Sequence, residues 1–416
     1  MTNPLADPYF VLNKVYGGGA YLKQALADTP VEECNRARTV KICYGVLEKD
    51  AWLDHCIRTF APKSPKLPVR IVLKISLYLL LFMQKKKYMV TDNAVSLVRK
   101  LGKGGAAGFV NAFLRAFDAD KVRLPQDALA ALSLKLSYPA FALKRLIAEY
   151  GEETAEKIAS AAAEGVTVRF ACGKEKIASY LEGAVYENTP FENVYRFRSF
   201  RRDEGYDAGE YTFQSVGSVA VADMVQGCEN ILDACAAPGG KSVLLSQKCG
   251  HVTSFELHPH RAALIESYAK RMHRDNITIV CRDSSVPDET YREAFGAVLV
   301  DAPCSGFGVV SENPDIKLFR KEADLAGIGR AQAAILDACA AYVKQGGALY
   351  YSTCSVLGEE NDGIVGAFLA KHAEFSSEKA ASPLAHVQKK YGIQFLPHET
   401  GGAGFYFAKM KKGERT

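Results

Sequence analysis

What the sequence lacks narrows the field first. No CxxC pair occurs among its cysteines, so nothing supports a zinc site. The most apolar stretch, Ile71 to Met83, is broken by Lys74 and is too short to span a bilayer, so it reads as a buried core helix. GxxxxGK-Ser/Thr and GxGxxG are both absent, which argues against a nucleoside triphosphate loop and against a dinucleotide pyrophosphate. The beginning, Met1-Thr2-Asn3-Pro4, lacks the charged-then-apolar layout of a secretory signal, and the eleven cysteines are odd in number and scattered. Reduced thiols in a cytoplasm are therefore expected, with no membrane and no metal among the partners.

What is present is a globular composition, 48% hydrophobic and 24% charged over 416 residues, with no low-complexity tract. That length exceeds one compact core and points to two or three domains. A net charge of +5 permits an anionic partner without demanding one. Nothing calls for more than a monomer.

From about Pro30 to Phe117 the pattern is helical. Val40, Cys43, Tyr44, Val46 and Leu47 recur at three- and four-residue spacing, as do Ile71, Ile75, Leu79 and Phe82. Thr91-Asp92-Asn93 is expected to cap a helix beginning near Ala94. Residues 1–128 are read as an all-α domain, and residues 129–213 as a small α+β segment. In the latter Leu143, Leu146, Ile147 and Tyr150 form a helical face that continues through Thr154 to Ala163, and Val166-Thr167-Val168-Arg169-Phe170 resembles a strand. Arg196-Phe197-Arg198-Ser199-Phe200-Arg201-Arg202, if extended, places arginines on one face and aromatics on the other. That is either a half-buried edge strand or a surface for phosphates and bases.

Residues 214–416 alternate strands with helices. Ile231–Asp233, His251–Leu257, Ile277–Arg282, Ala297–Asp301 and Ala348–Ser352 are candidate strands, with Pro259–His273 and Asp324–Gln345 among the helices. Such alternation predicts an α/β domain with a mostly parallel sheet, whose ligands bind beyond the strand carboxyl ends. Gly239, Glu256, Asp283, Asp301 and Cys354 all fall at or just past such ends. In Ala236-Ala237-Pro238-Gly239-Gly240-Lys241 the adjacent glycines let backbone approach a ligand, and Ser242 with the following helix can receive a carboxylate. Glu256 is placed to accept from ribose hydroxyls and Asp283 from an adenine amino group. Cys304, in Asp301-Ala302-Pro303-Cys304-Ser305-Gly306, and Cys354, in Ser352-Thr353-Cys354-Ser355, sit in polar, loop-forming surroundings. Cys34, Cys43, Cys172, Cys228, Cys281 and Cys339 read instead as small buried hydrophobes. A thiolate beside a nucleoside pocket suits covalent activation of a poor nucleophile such as cytosine C5, with Asp301 at the N3 edge of the base.

The motifs DACAAPGGK, DAPCSG with PDIK, and YSTCS, in this order, resemble those of the Sun/RsmB-type RNA 5-methylcytosine methyltransferases. Cys43-Tyr44-Gly45-Val46-Leu47 and Gly108-Phe109-Val110-Asn111-Ala112-Phe113-Leu114-Arg115 resemble the NusB-like RNA-binding domain of bacterial members. The likeness runs to Gly404-Phe405-Tyr406-Phe407-Ala408. It implies a Rossmann-like domain and S-adenosylmethionine as donor, with Ala236 to Lys241, Glu256, Arg261, Asp283 and Asp301 contacting it. It further implies cytosine in RNA, with 16S ribosomal RNA suggested, as acceptor. Cys354 would be the nucleophile, Cys304 would assist product release, Asp301 would bind the base, and Lys241 would support both. Phe307, Ser311-Glu312 and Val168 to Gly173 depart from the family pattern, at positions read as touching RNA contact more than chemistry. A non-catalytic RNA-binding or assembly factor with the same fold remains the alternative. Methylation of DNA is disfavoured, because it would nominate the Pro303-Cys304 pair as nucleophile.

Overall fold

The computed structural model describes residues 3–414. Packing divides the chain into two compact units, one of Met1–Ala159 with Asn313–Arg320, the other of Ser160–Glu312 with Lys321–Thr416.

The first unit is helical: α1 (Ala6–Gly18), α2 (Leu22–Ala27), α3 (Glu33–Glu48), α4 (Asp50–Phe60), α5 (Leu67–Leu81), α6 (Lys87–Lys100), α7 (Ala107–Ala116), α8 (Ala128–Leu136), α9 (Ala140–Tyr150) and α10 (Glu152–Ser160). Helix α5 has Pro68 in its first turn and is buried on nearly all sides, as its apolar run predicts. Its buried cation, Lys74, is 2% exposed and reaches Asp50 at 2.5 Å and Asp54 at 3.2 Å. Pairing of this kind is what allows an ammonium in a core. Gly45 of α3 lies so close to α5 that a Cβ there would meet the Tyr78 ring at 2.0 Å. Helix α6 begins seven residues before the expected start near Ala94. Thr91, expected as a cap, is buried within the helix, and its hydroxyl donates to Lys87 O at 2.8 Å. The apolar face of Val90, Ala94, Leu97 and Val98 overrides the capping preference of Thr-Asp-Asn. The distant segment Asn313–Arg320 joins this unit: Asp315 accepts from the Leu22 amide at 2.9 Å, and Lys317 donates to Glu48 O at 2.7 Å.

The second unit opens with an antiparallel sheet of β1 (Val166–Phe170), β2 (Tyr186–Asn188), β3 (Val194–Phe197) and β4 (Tyr211–Phe213), in the order β2-β3-β1-β4. The Arg-Phe run is not one strand. Strand β3 ends at Phe197, and Phe200 packs beyond it against Phe197, Tyr211 and Phe213. Arg196 donates to Thr400 O at 2.9 Å, while Arg198, Arg201 and Arg202 are exposed. Aromatic burial, not alternation, sets this segment.

The larger sheet contains β5 (Asn230–Asp233), β6 (His251–Glu256), β7 (Ile277–Cys281), β8 (Phe295–Asp301), β9 (Val343–Thr353), β10 (Phe375–Glu378), β11 (Val387–Gln388), β12 (Gly392–Phe395) and β13 (Phe405–Lys412). Its order is β11-β12-β13-β9-β8-β5-β6-β7, with β10 beside β13. From β9 to β7 all pairings are parallel, and β13 runs antiparallel to β9. Strands buried on both faces explain the continuous apolar runs Ile231-Leu232 and Val298-Leu299-Val300. The helix expected over Asp324–Gln345 ends at Ala340, and Val343 to Gln345 already belong to β9. There the register against β8 shifts, and Gly346 adopts φ +68°. Of the cysteines expected inside, Cys43 and Cys339 are buried and Cys172 and Cys228 half-buried, but Cys34 and Cys281 are exposed. Cys34 lies in the first turn of α3, and Cys281 ends the edge strand β7. Among the described residues no helix is long and apolar enough to cross a membrane, and no His/Cys/Asp/Glu cluster could hold a metal.

Candidate active site

The chain runs β5 to β6 to β7 outward, then returns to place β8 and β9 on the other side of β5. In sheets of this kind such a reversal marks a crevice beyond the carboxyl ends of the flanking strands, here β5 and β8, where ligands bind. The glycine turn follows β5, Glu256 ends β6, Asp283 lies two residues past β7, Asp301 ends β8 and Cys354 follows β9.

The turn after β5 is sharply built. Ala237-Pro238 is a cis peptide, and Gly239 has φ +105°, where a Cβ would meet Ile265 Cα at 3.2 Å. Gly239 N donates to Ala236 O at 2.8 Å. Arg261 Nη2 donates to Ala237 O at 3.3 Å, and its Nη1 lies 3.4 Å from Glu256 Oε1, tying the turn to the end of β6. Ser242 does not await a ligand's carboxylate. It is buried, and its hydroxyl donates to Asp233 Oδ2 at 2.7 Å. The Ser285 hydroxyl and amide donate to Asp283 Oδ1 at 2.6 and 2.8 Å, which lowers the pKa of its carboxyl.

At the other side of the crevice, Lys241 Nζ donates to Asp301 Oδ2 at 2.6 Å and the Ser352 hydroxyl to Asp301 Oδ1, also at 2.6 Å. Both oxygens of Asp301 are thus held. Burial pushes the Lys241 ammonium down in pKa, but Asp301 and then Asp233 outweigh it, so the group stays charged above the usual lysine range. The Phe405 ring lies 5.2 Å from Lys241 Nζ. Cys304 Sγ and Cys354 Sγ are 3.0 Å apart. The hydrogen bond with Cys354 raises the Cys304 thiol well above its ordinary pKa, with burial and the charges of Glu360 and Asp301 adding to it. Cys304 therefore holds its proton beside its neighbour. The structure brings Lys241, Asp301, Cys304 and Cys354 together as expected.

Some participants were not legible from motifs. Ser352 fixes Asp301, and Gly308 N donates to Cys354 O at 2.9 Å, stitching the two cysteine loops. Glu360 and Asn361 are buried beneath both loops. The signal in the sequence was Glu359-Glu360-Asn361 close behind Cys354, which reads more readily as solvated charge. Phe307 is 1% exposed, its side chain buried in the core.

Two family models match: "16S rRNA methyltransferase RsmB/F" over residues 222–411 and "NusB family" over residues 11–119. The chain is 31% identical over 433 residues to the probable ribosomal RNA small subunit methyltransferase B of Bacillus subtilis (strain 168), covering 94% of each. The chain belongs to the RsmB/F methyltransferase family. Ribosomal RNA small subunit methyltransferase B of Sodalis glossinidius (strain morsitans) is 30% identical over 421 residues, 97% of this chain and 95% of the relative. The crystal structure of PH0851 shares the fold over 99% of both chains, with a TM-score of 0.84 at 21% identity. That of NSun6 from Pyrococcus horikoshii with SFG matches 67% of this chain and 99% of its own, with a TM-score of 0.58 at 18% identity.

The methyl donor of such an enzyme is S-adenosylmethionine, and the crevice fits it. The bare backbone of Ala236 to Gly240 admits close approach, and Glu256 at the end of β6 and Asp283 just past the adjacent β7 present carboxylates of the kind that accept from a nucleoside's hydroxyl and amino groups.

Proposed function

We propose that the protein methylates cytosine C5 in RNA, 16S ribosomal RNA by analogy with its relatives, through a covalent bond from Cys354 to C6. The observation that carries this reading is the sulfur pair, 3.0 Å apart, beside a carboxylate held by Lys241 and Ser352. Bound S-adenosylmethionine supplies an electrophilic methyl group. The Cys354 thiolate adds to C6 and makes C5 enamine-like, able to accept that methyl. The Lys241–Asp301 pair meets the charge that develops along the N3 edge, and its fixed geometry avoids reorganisation during attack. When the C5 proton is lost to water and the C6–S bond breaks, Cys354 departs as a thiolate. Cys304, still protonated, donates a hydrogen bond to it.

The helical unit supports RNA as the acceptor. Residues 55–117 hold twelve Lys or Arg against one acid, Asp92, while the whole chain carries +5. Lys63, Lys66 and Lys103 line a cleft of about 500 Å³ with Phe109, which is 40% exposed. Lysines for phosphates and an aromatic face for a base suit a single strand. Attack on the ring face needs the target base unpaired or extruded.

The test is methyl transfer to RNA. Cys354→Ala should abolish it while donor binding persists, and undiminished transfer would overturn the mechanism. Cys304→Ala should accumulate a covalent RNA–protein adduct visible on a denaturing gel. An adduct that forms equally with Cys354→Ala would exchange the two roles. A wild-type chain that binds RNA and transfers no methyl would leave the assembly-factor alternative.

A further inference from the structure

Glu360 takes no part in the chemistry above, yet it is 1% exposed and its carboxylate is fully engaged. Its Oε1 accepts from the Ser305 amide at 2.8 Å and its Oε2 from the Ser305 hydroxyl at 2.6 Å. Gln332, equally buried, donates to Pro303 O at 3.0 Å and lies 3.4 Å from Glu360 Oε1. The peptide groups on both sides of Cys304 are therefore gripped from below. The next residue serves the other cysteine: Asn361 accepts from Thr353 Oγ1 at 2.6 Å and donates to Ser355 O at 3.1 Å. The Ser305 and Ser355 hydroxyls, 3.2 Å apart, join the two halves.

A neutral side chain could have made most of these bonds. Glu360 forms no ion pair among the described residues, so its charge is buried without a cation, a costly arrangement that packing alone does not require. Among the groups acting on the Cys304 thiol, Cys354, Glu360 and Asp301 each resist its ionisation, and the Tyr351 hydroxyl, which donates to Glu360 O at 2.7 Å, interacts with it as well.

We propose that Glu360 is a positioning residue that, with Asn361, fixes Cys304 against Cys354 and presents a buried negative charge to the Cys304 sulfur. The consequence is an asymmetric pair, one sulfur kept as a thiol donor so that its partner is the one that attacks. This rests on the covalent reading above.

The test pairs kinetics with thiol chemistry. Glu360→Gln should lower kcat roughly 10- to 100-fold with KM for RNA and donor little changed, because the reacting atoms are misplaced after binding. In a Cys354→Ala background, Glu360→Gln should move the pH profile of Cys304 alkylation by iodoacetamide to lower pH. Unchanged kcat, or an unmoved alkylation profile, overturns the proposal. Should Glu360→Gln fail to fold, Ser305→Ala removes one of the two bonds but keeps the charge: kcat must fall while the alkylation profile does not move to lower pH, or the proposal falls. The alkylation profile needs no turnover, so it stands apart from failure of the covalent mechanism, which full methyl transfer by Cys354→Ala would reveal.

Discussion

Asp233 is 1% exposed, and its Oδ1 is buried without a hydrogen-bond partner. Burial raises its carboxyl to about 6, the Ser242 hydrogen bond pulls it back, and Asp301 adds to the rise. Because the folded group binds its proton more tightly than the unfolded one, its contribution to stability is fully present at low pH. It is lost as pH rises through about 6. A shift of this size corresponds to about 3 kcal/mol. Urea unfolding should therefore show Asp233→Asn gaining on the wild type between about pH 4 and pH 7.5, and an equal margin at both would contradict the assignment. Lys241→Met leaves Asp301 without its cation, and steady-state methyl transfer should fall about 10²- to 10³-fold. At this scale the strand-end residues were legible, since sheet topology dictates where ligands gather. Glu360 was not, because a buried charge cannot be told from a solvated one when the burying elements come from three distant parts of the chain.

The elements show a similar division. The five parallel strands were visible as apolar runs, but element ends were set by contacts that no local pattern records. Thr91 lies inside α6, Phe197 closes β3, and Val343 pairs with Phe295 where a helix was expected. The loops after β8 and β9 depend on one glycine: a Cβ on Gly308 would meet Gly404 O at 2.2 Å and Cys354 O at 2.8 Å. Gly308→Ala should displace the Cys354 loop, cutting methyl transfer far more than donor binding. Isothermal titration with S-adenosylhomocysteine beside a transfer assay checks this, and parallel losses would place the effect elsewhere. Within the first unit, Gly45→Leu has no room against Tyr78, and thermal unfolding should record a loss of at least about 1–3 kcal/mol from overpacking.

For the whole molecule, charge is distributed unevenly: the basic stretch 55–117 lies against a remainder that is net acidic. Replacing Lys63, Lys66 and Lys103 together by Ala should weaken binding of single-stranded RNA and flatten its dependence on salt by about 0.7 per lysine. Phe109→Ala should cost about 1–3 kcal/mol of binding with little change in that slope. Fluorescence anisotropy across a salt series separates the two, and an unchanged slope in the triple variant would remove this face from RNA contact.

The segment Asn313–Arg320 has a consequence for how the protein is made. Its Asp315 and Lys317 bond to Leu22 and Glu48, residues that leave the ribosome long before them. The helical unit is therefore not complete when its own 159 residues have been synthesised; it waits until translation has passed residue 320. The loop bearing Cys304 directly precedes that segment in the chain, so the last piece of the first unit and the first sulfur of the proposed pair reach the folding chain almost together.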